Sequence, residues 1–315
     1  MDTIWLEDFL ALLDEGGFSR AAQKRAVSQS AFSRRIRALE DWVGVPLIER
    51  TTHSVRPTAA GERLRPVAEE ALRRLHQGRH EALAAAQASG ATIRFAATHV
   101  LSLTFFPPWL RDLEARLSSP ATFELAADHM DACETLMVEG KAHLLLCHHH
   151  PAARTRLEAP AFLSTTIGED RLVPVGTPAR VRVGGPYLAY APTSGMGRIL
   201  AASGHAREAG GEPAFTSHLA GVLATLARDG RGIAWVPLSL VADDLDAERL
   251  TRAGSAEDQV AMDIRLFRPR ARQNAAVEAL WAAVTERPPQ ESPAVSPRLE
   301  TAIAAGTLPR RPAAR

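Results

Sequence analysis

Phe18 to Gly61 reads FSRAAQKRAVSQSAFSRRIRALEDWVGVPLIERTTHSVRPTAAG, and the order of side chains along it decides how the N-terminal part of the chain folds. Just upstream, Gly16 and Gly17 stop a first helix in which Trp5, Phe9, Leu12 and Leu13 recur at helical spacing. Ser19 is expected to cap a short second helix, Arg20 to Arg25, where the small Ala21 and Ala22 permit close packing. Ser28 caps a third helix and Gly44 ends it. Along that helix Ala31, Ile36, Leu39 and Val43 form the expected buried stripe, with Gln29, Ser30, Ser33, Arg34 and Arg37 on or near the opposite face. Leu47 to Arg56 then reads as a short wing. This order implies a winged helix-turn-helix whose third helix enters the DNA major groove by its N-terminal end.

The side chains suit that placement. Gln29 can pair with adenine in bidentate fashion and Arg34 with guanine, while Ser30 and Ser33 are short enough for close approach. Ser19, Ser28 and Arg37 complete the candidate DNA-facing set on the helices, and Arg50, His53 and Arg56 of the wing are placed for phosphates or the minor groove. The whole chain is nearly balanced, with 37 basic and 36 acidic residues, yet Arg20 to Arg65 holds ten basic residues against four acids. Such a local excess fits a phosphate-binding surface. The alternative is an ordinary helical bundle with a solvated basic face, which has no need of this ordered series of caps, alanines and wing.

Ala21-Ala22, Ser28-Gln29, Ala31, Ser33, Ile36, Leu39-Glu40, Gly44, Leu47, Arg50, Thr58 and Ala60-Gly61 together resemble the winged helix-turn-helix of LysR-type transcriptional regulators. Ile48 stands where that family usually has Phe, and His53 where an Arg is common in the wing. The resemblance extends to residue 286 or so and implies a periplasmic-binding-protein-like effector domain of two lobes around a cleft. It also implies pairing of linker helices and assembly into homodimers and tetramers on double-stranded DNA.

The remaining texture agrees with that organisation. Thr58 to Ala88 reads as one long helix with Leu64, Ala68, Ala71, Leu72, Leu75 and Leu83 on its apolar side and Pro66 as a point of bending. A second copy, or the helix's own chain, would cover that side. From Thr92 onward short apolar runs alternate with helical stretches: ATIRFAATHV, FELAAD, AHLLLCH, GEDRLVPVG, PYLAYAP, AFT, GIAWVP and IRLF are the strands. The expected fold class is α/β, with a winged helix-turn-helix over 1–60, a linker helix over 61–90 and an effector domain over 91–286. Within the last, one lobe takes 91–162 and 266–286, and the other 163–265. The tail, 287–315, is rich in Pro and reads as disordered.

Ligands of open α/β sheets sit at the C-terminal ends of strands. That rule selects Thr98, His99 and Ser102 after the first strand, Asp128 and His129 after the second, and Cys147 and His148 after the third. In the other half it selects Tyr190, Ser194, Gly195 and Met196, with Trp235 on the late strand. The run His148-His149-His150 is read as a solvated loop rather than a metal site, because three adjacent imidazoles cannot converge on one ion. No metal or cofactor is expected.

Cys147 and Met196 raise a redox reading against the plain one of packing. The stretches ATHVLSLTFFPPWL, SGMGRIL and GIAWVP resemble the corresponding pieces of a hypochlorite-responsive subgroup of the LysR-type regulators. That resemblance implies an oxidative stress response through methionine oxidation, with Met196 as the matching position. Reversible binding of a small anionic metabolite is the competing signal. A solute-binding protein is a remoter reading, opposed by the fused DNA-binding head and by an N-terminus, MDTIWLEDFLALLDEGG, that lacks a basic leader. With no apolar run of membrane-spanning length and only two cysteines, the expectation is a cytoplasmic protein. No Gly-rich phosphate loop, G-x-S-x-G elbow or two-histidine metal helix points to an enzyme.

Overall fold

The computed structural model describes residues 2–50, 55–86, 92–117, 121–157, 160–205, 212–255 and 257–286. It divides into two compact units, Met1–Ser89 with Val138–Lys141, and Gly90–Met137 with Ala142–Arg315. His53 and the tail fall outside the described residues, as do the side chains of Arg50 and Leu83.

The first unit begins with helices α1 (Thr3–Glu15), α2 (Phe18–Lys24) and α3 (Gln29–Val43). A wing of two strands, β1 (Ile48–Arg50) and β2 (Val55–Pro57), leads into α4 (Ala59–Ala86). Asp2 starts α1 by accepting a hydrogen bond from Ile4 N at 3.1 Å, and Gly16 ends it at φ 61°, a left-handed conformation that favours glycine. Ser28 caps α3 through Ala31 N, and Gly44 closes it. Ser19 differs from expectation: the N-cap of α2 is Gly17, and Ser19 lies inside the helix.

The buried face of α3 is Phe32, Ile36 and Leu39 rather than a stripe starting at Ala31. Spacings of four and three keep those three side chains on one helix face, and the Phe32 ring meets Phe18 edge-on at 6.1 Å. They join Phe9, Leu12 and Leu47 in one core, each fully buried. Removal from water stabilises such a side chain by about 1.5–3 kcal/mol. Leu64, Ala68, Ala71 and Leu72 of α4 pack on this same core, whereas Val67 and Leu75 are exposed. The helix continues through Pro66, which removes one backbone donor without ending it.

The second unit is built on a nine-stranded sheet among the described residues. Its first part holds β3 (Thr92–Thr98), α5 (His99–Thr104), α6 (Phe106–Glu114), β4 (Thr122–Asp128), α7 (Met130–Val138) and β5 (Leu144–His149). The chain then crosses by the long strand β6 (Phe162–Gly176) into α8 (Pro178–Val183), β7 (Tyr187–Tyr190), α9 (Gly195–Ala202), β8 (Phe215–Ser217), α10 (Ala220–Arg228), β9 (Ile233–Pro237), α11 (Leu238–Asp246) and β10 (Thr251–Arg252). It returns through β11 (Val260–Pro269) to α12 (Ala275–Thr285).

The strand order is β4-β3-β5-β11-β6-β9-β7-β8, with β10 against β6. β3, β4 and β5 are parallel at one end, and β7, β8 and β9 are parallel at the other. Between them, β6 and β11 run antiparallel over Phe162–Leu172, with an irregularity between Ile264 and Arg265. These two crossing strands are shared by two lobes with separate cores. Phe95, Leu101, Leu144, Leu146, Leu266 and Leu280 anchor lobe I, and Leu172, Val173, Leu223, Ala234, Val236 and Val241 anchor lobe II.

One expectation fails here for a clear reason. His148-His149-His150 is no solvated loop: His148 and His149 continue β5, and His148 is buried. Its register partner is Ile264 on β11, and Nε2 of its ring meets the Asp170 carboxylate at 3.0 Å, which makes burial of the imidazole acceptable.

Candidate functional site

In the first unit, α3 presents a polar face framed by short-range bonds. Gln29, Ser30, Arg34 and Arg37 are exposed, Ser33 is half-buried, and Ser28 caps the start of the helix. Ser19 Oγ donates to Gln29 Oε1 at 3.2 Å, so Ser19 meets the first side chain of α3 and does not cap its own helix. Arg56 is exposed in the middle of β2.

The excess of positive charge is smaller at this face than the sequence count implies. Asp8 is fully buried and accepts from Arg25 Nε at 2.8 Å and Arg35 Nη1 at 3.3 Å, with Glu7 also on Arg25. These carboxylates hold the Arg25 guanidinium above its ordinary range, against the opposing effect of partial burial. Lys24 pairs with Glu15 at 2.8 Å, and Arg65 with Asp14 at 3.0 Å and Glu69 at 3.1 Å. Those four cations brace helices against one another. Among the described residues, Arg34, Arg37 and Arg56 show no such pairing.

The junction of helix and wing explains two further sequence features. Glu40 Oε1 accepts from Leu47 N at 2.9 Å and Ile48 N at 3.2 Å, tying the wing to α3. Thr58 Oγ1 donates to Pro46 O at 2.8 Å and accepts from Gly61 N at 3.1 Å. A Cβ on Gly61 would overlap the Leu47 carbonyl oxygen, so only glycine lets α4 approach the wing this closely.

In the second unit a cleft of about 460 Å³, open solvent at its mouth included, lies between the lobes, at the C-terminal ends of the parallel strands. Lobe I contributes Thr98, His99, Asp128, His129, Met130 and His148; lobe II contributes Ser194, Gly195, Met196, His218 and Leu219. Asp128 Oδ1 accepts from His129 N at 2.7 Å and lies 2.6 Å from its Nδ1, and this imidazole holds the carboxyl below its ordinary range. The His129 ring meets His218 of lobe II at 5.7 Å.

Three candidates sit elsewhere. Ser102 Oγ donates to His99 O at 2.8 Å within α5. Tyr190 is buried in the lobe II core, where loss of water pushes its phenol well above the ordinary value. Trp235 belongs to the same core, edge-on to His205 at 5.1 Å. Strand-end position alone does not say which way a residue points: Tyr190 and Trp235 turn to the core face, and Ser102 lies inside α5. Met130 and His218 were missed because they lie just past the strand ends, Met130 opening α7 two residues after β4 and His218 following β8 directly. The rule that selected strand ends could have reached them by one or two residues.

Beside the cleft, the lobes are clasped. Glu134 on α7 is fully buried and accepts from Thr155 Oγ1 at 2.7 Å, Arg156 N at 3.0 Å and Arg198 Nη1 at 3.3 Å. Arg198 on α9 also pairs with Asp131. A Cβ on Gly195 would come within 3.2 Å of Met130 Cβ, so the start of α9 rides directly on the start of α7. Cys147 forms the adjoining wall, in a smaller cavity, and is buried.

Residues 4–62 match the family model described as the bacterial regulatory helix-turn-helix protein, lysR family, and residues 85–289 match the LysR substrate binding domain. The chain belongs to the LysR family of transcriptional regulators. It is a DNA-binding regulator and not an enzyme. The HTH-type transcriptional regulator YjiE of Escherichia coli K12 is 29% identical over 298 residues, covering 91% of this regulator and 95% of YjiE. Among solved structures, full-length HypT of Salmonella typhimurium, described as a hypochlorite-specific LysR-type transcriptional regulator, is 28% identical with TM-score 0.54 over 91% of this chain and 98% of HypT. Vibrio fischeri DarR in complex with DNA is 26% identical with TM-score 0.53 over 91% and 99% of the two chains. No described helix of this regulator is long and apolar enough to cross a membrane.

Proposed function

We propose that this LysR-type regulator responds to hypochlorite-like oxidants through oxidation of Met196 in its inter-lobe cleft. The observation that carries this reading is the position of Met196, on the first turn of α9, in the cleft wall and 8% exposed. The two thiols are poorer targets. Burial pushes Cys133 up to about 12 and Cys147 higher still, so both are held as unreactive thiols. A thioether needs no deprotonation, and its sulfoxide is polar. Formed beside Met130 and two residues from Arg198, that sulfoxide would disturb the clasp to Asp131 and Glu134 and shift the balance between lobe positions. The likeness to HypT, described as hypochlorite-specific, supports the same reading.

Replacing Met196 with Leu removes the response to hypochlorite in a reporter strain while leaving operator binding intact; an unchanged response defeats the proposal. A second reading, binding of a small anionic metabolite, draws on His99, His129 and His218 around the same cleft. Peptide mass spectrometry after mild hypochlorite, beside a thermal-shift screen of carboxylates, separates the two. A specific carboxylate shift with no effect of oxidation on DNA binding selects the metabolite.

On DNA, Gln29, Ser30, Ser33, Arg34 and Arg37 are proposed as the groove-facing set, with Ser19 and Ser28 in support and Arg56 on phosphate. The exposed Val67 and Leu75 of α4 favour pairing with a second copy, consistent with two half-sites read by a twofold dimer.

A further inference from the structure

The lobes are joined along β6 and β11, and each lobe claims a different stretch of them. β5 of lobe I pairs with β11 over Asp263–Phe267, and β9 of lobe II pairs with β6 over Leu172–Val175. Between those stretches lie two rungs, Asp170 opposite Met262 and Arg171 opposite Ala261, with no third strand beside them among the described residues. The ladder is also irregular on the lobe I side, between Ile264 and Arg265, and such irregularities bend a strand. Two strands without a third are a weak support for the angle between two lobes.

The side chain that leaves this neck at Asp170 reaches both lobes. Its Oδ2 lies 3.0 Å from Nε2 of His148, near the end of β5 in lobe I, and accepts from Ser239 Oγ at 2.6 Å, in the first turn of α11 in lobe II. Oδ1 accepts from Ser239 N at 3.2 Å and from Arg171 N at 2.7 Å. Asp170 and His148 are both buried. Burial opposes the charge on Asp170, but its contacts with His148, Ser239 and Arg171 hold the carboxyl below its ordinary range. The lobes also share apolar groups: Val100 of α5, in lobe I, belongs to the buried cluster that holds Leu238 and Val241 of α11. Apolar contact is non-directional and survives a small slide, whereas a buried carboxylate meeting four polar atoms holds one geometry.

We propose that Asp170 is the brace that fixes the angle between the lobes across this two-rung neck. Turning lobe II away from lobe I draws Ser239 and His148 apart, so the carboxylate has to release one of them. A buried carboxylate that loses a partner is costly, which leaves intermediate angles sparsely populated and makes the neck a two-position hinge. Asp170 is thereby a positioning residue, and the brace stands whichever signal reaches the cleft.

A pair of nitroxide labels reads the angle in the full-length regulator. Glu114→Cys on α6 of lobe I and Val183→Cys on α8 of lobe II are exposed positions, and the native Cys133 and Cys147 are buried. Labelled chains are diluted into unlabelled protein, so that pulsed electron spin resonance reads distances within one chain. Asp170→Asn keeps the shape of the side chain but gives up one accepting oxygen. Ser239→Ala removes the lobe II hydroxyl alone and carries the test if the first variant folds poorly. Val241→Ala serves as control, since it loosens the lobe II core from a fully buried position and leaves the brace intact. The expected result is one narrow distance in the parent and in Val241→Ala. In Asp170→Asn the distribution widens about twofold or more, or gains a second peak, with a smaller change of the same kind in Ser239→Ala. Unchanged distributions in both brace variants overturn the proposal. So does an unchanged distribution in Ser239→Ala alone, which removes lobe II from the brace. Equal widening in Val241→Ala assigns the effect to loosened packing and overturns it as well.

Discussion

Ser19 Oγ donates to the side-chain oxygen of Gln29 at 3.2 Å, which aims the Gln29 amide from the neighbouring helix. An amide oxygen has two lone pairs, so one stays available for adenine N6 while the amide nitrogen donates to N7. Gln29→Ala with Arg34→Ala is expected to abolish operator specificity and leave weak, salt-sensitive binding, since each bidentate contact discriminates by about 1–3 kcal/mol. Ser19→Ala should produce a smaller loss in the same direction. Fluorescence anisotropy against operator and scrambled duplexes measures both, and retained specificity in the double variant would place the reading surface elsewhere.

Asp8 joins α1 to Arg25 and Arg35 from a fully buried position. Asp8→Ala is expected to destabilise the head by about 2–3 kcal/mol, because two charge-assisted hydrogen bonds disappear and their cations remain half-buried. Urea denaturation of the full-length protein reads this, provided the two units unfold in separable steps. A change under about 0.5 kcal/mol would mean that solvent replaces the carboxylate freely.

Gly61 leaves no room for a side chain against the Leu47 carbonyl. Gly61→Ala is expected to move the wing relative to α3, costing about 1–3 kcal/mol of stability and weakening DNA binding more than effects on secondary structure suggest. Circular dichroism and anisotropy on the same sample separate the two consequences.

The sign of the pH effect at Asp170 follows from its depressed pKa. The stabilisation it supplies is complete above the ordinary value of 3.8 and is lost as pH falls through the lower folded value. Asp170→Asn should therefore be less stable than the parent at neutral pH, with the gap closing in that acidic window. Thermal melts at stepped pH check this; a gap that widens on acidification would contradict it.

The sequence was most informative where side-chain type and backbone geometry coincide. Ser28 and Gly44 bound α3 as expected, and the alternating apolar runs beyond Thr92 became strands of a two-lobed α/β unit. Polar partners were far less legible. Asp8, Arg25 and Arg35 are separated by 17 and 27 positions, so nothing local announces that they meet. The three adjacent histidines looked like a solvated loop because a buried imidazole is acceptable only with a partner, and Asp170 lies 22 residues away. Tyr190 and Trp235 face the lobe II core for a related reason: the strand ends were visible, but the direction of each side chain was set by packing.

The sequence by itself determined the head, its caps and the succession of strands and helices, because each depends on neighbours within a few positions. Tertiary structure alone decided which cations pair with carboxylates, which strand ends share one cleft, and which nitrogen of His148 has no partner among the described residues. Those outcomes depend on desolvation and on partners from other elements, and burial acts on every polar group at once, irrespective of where along the chain its partner lies.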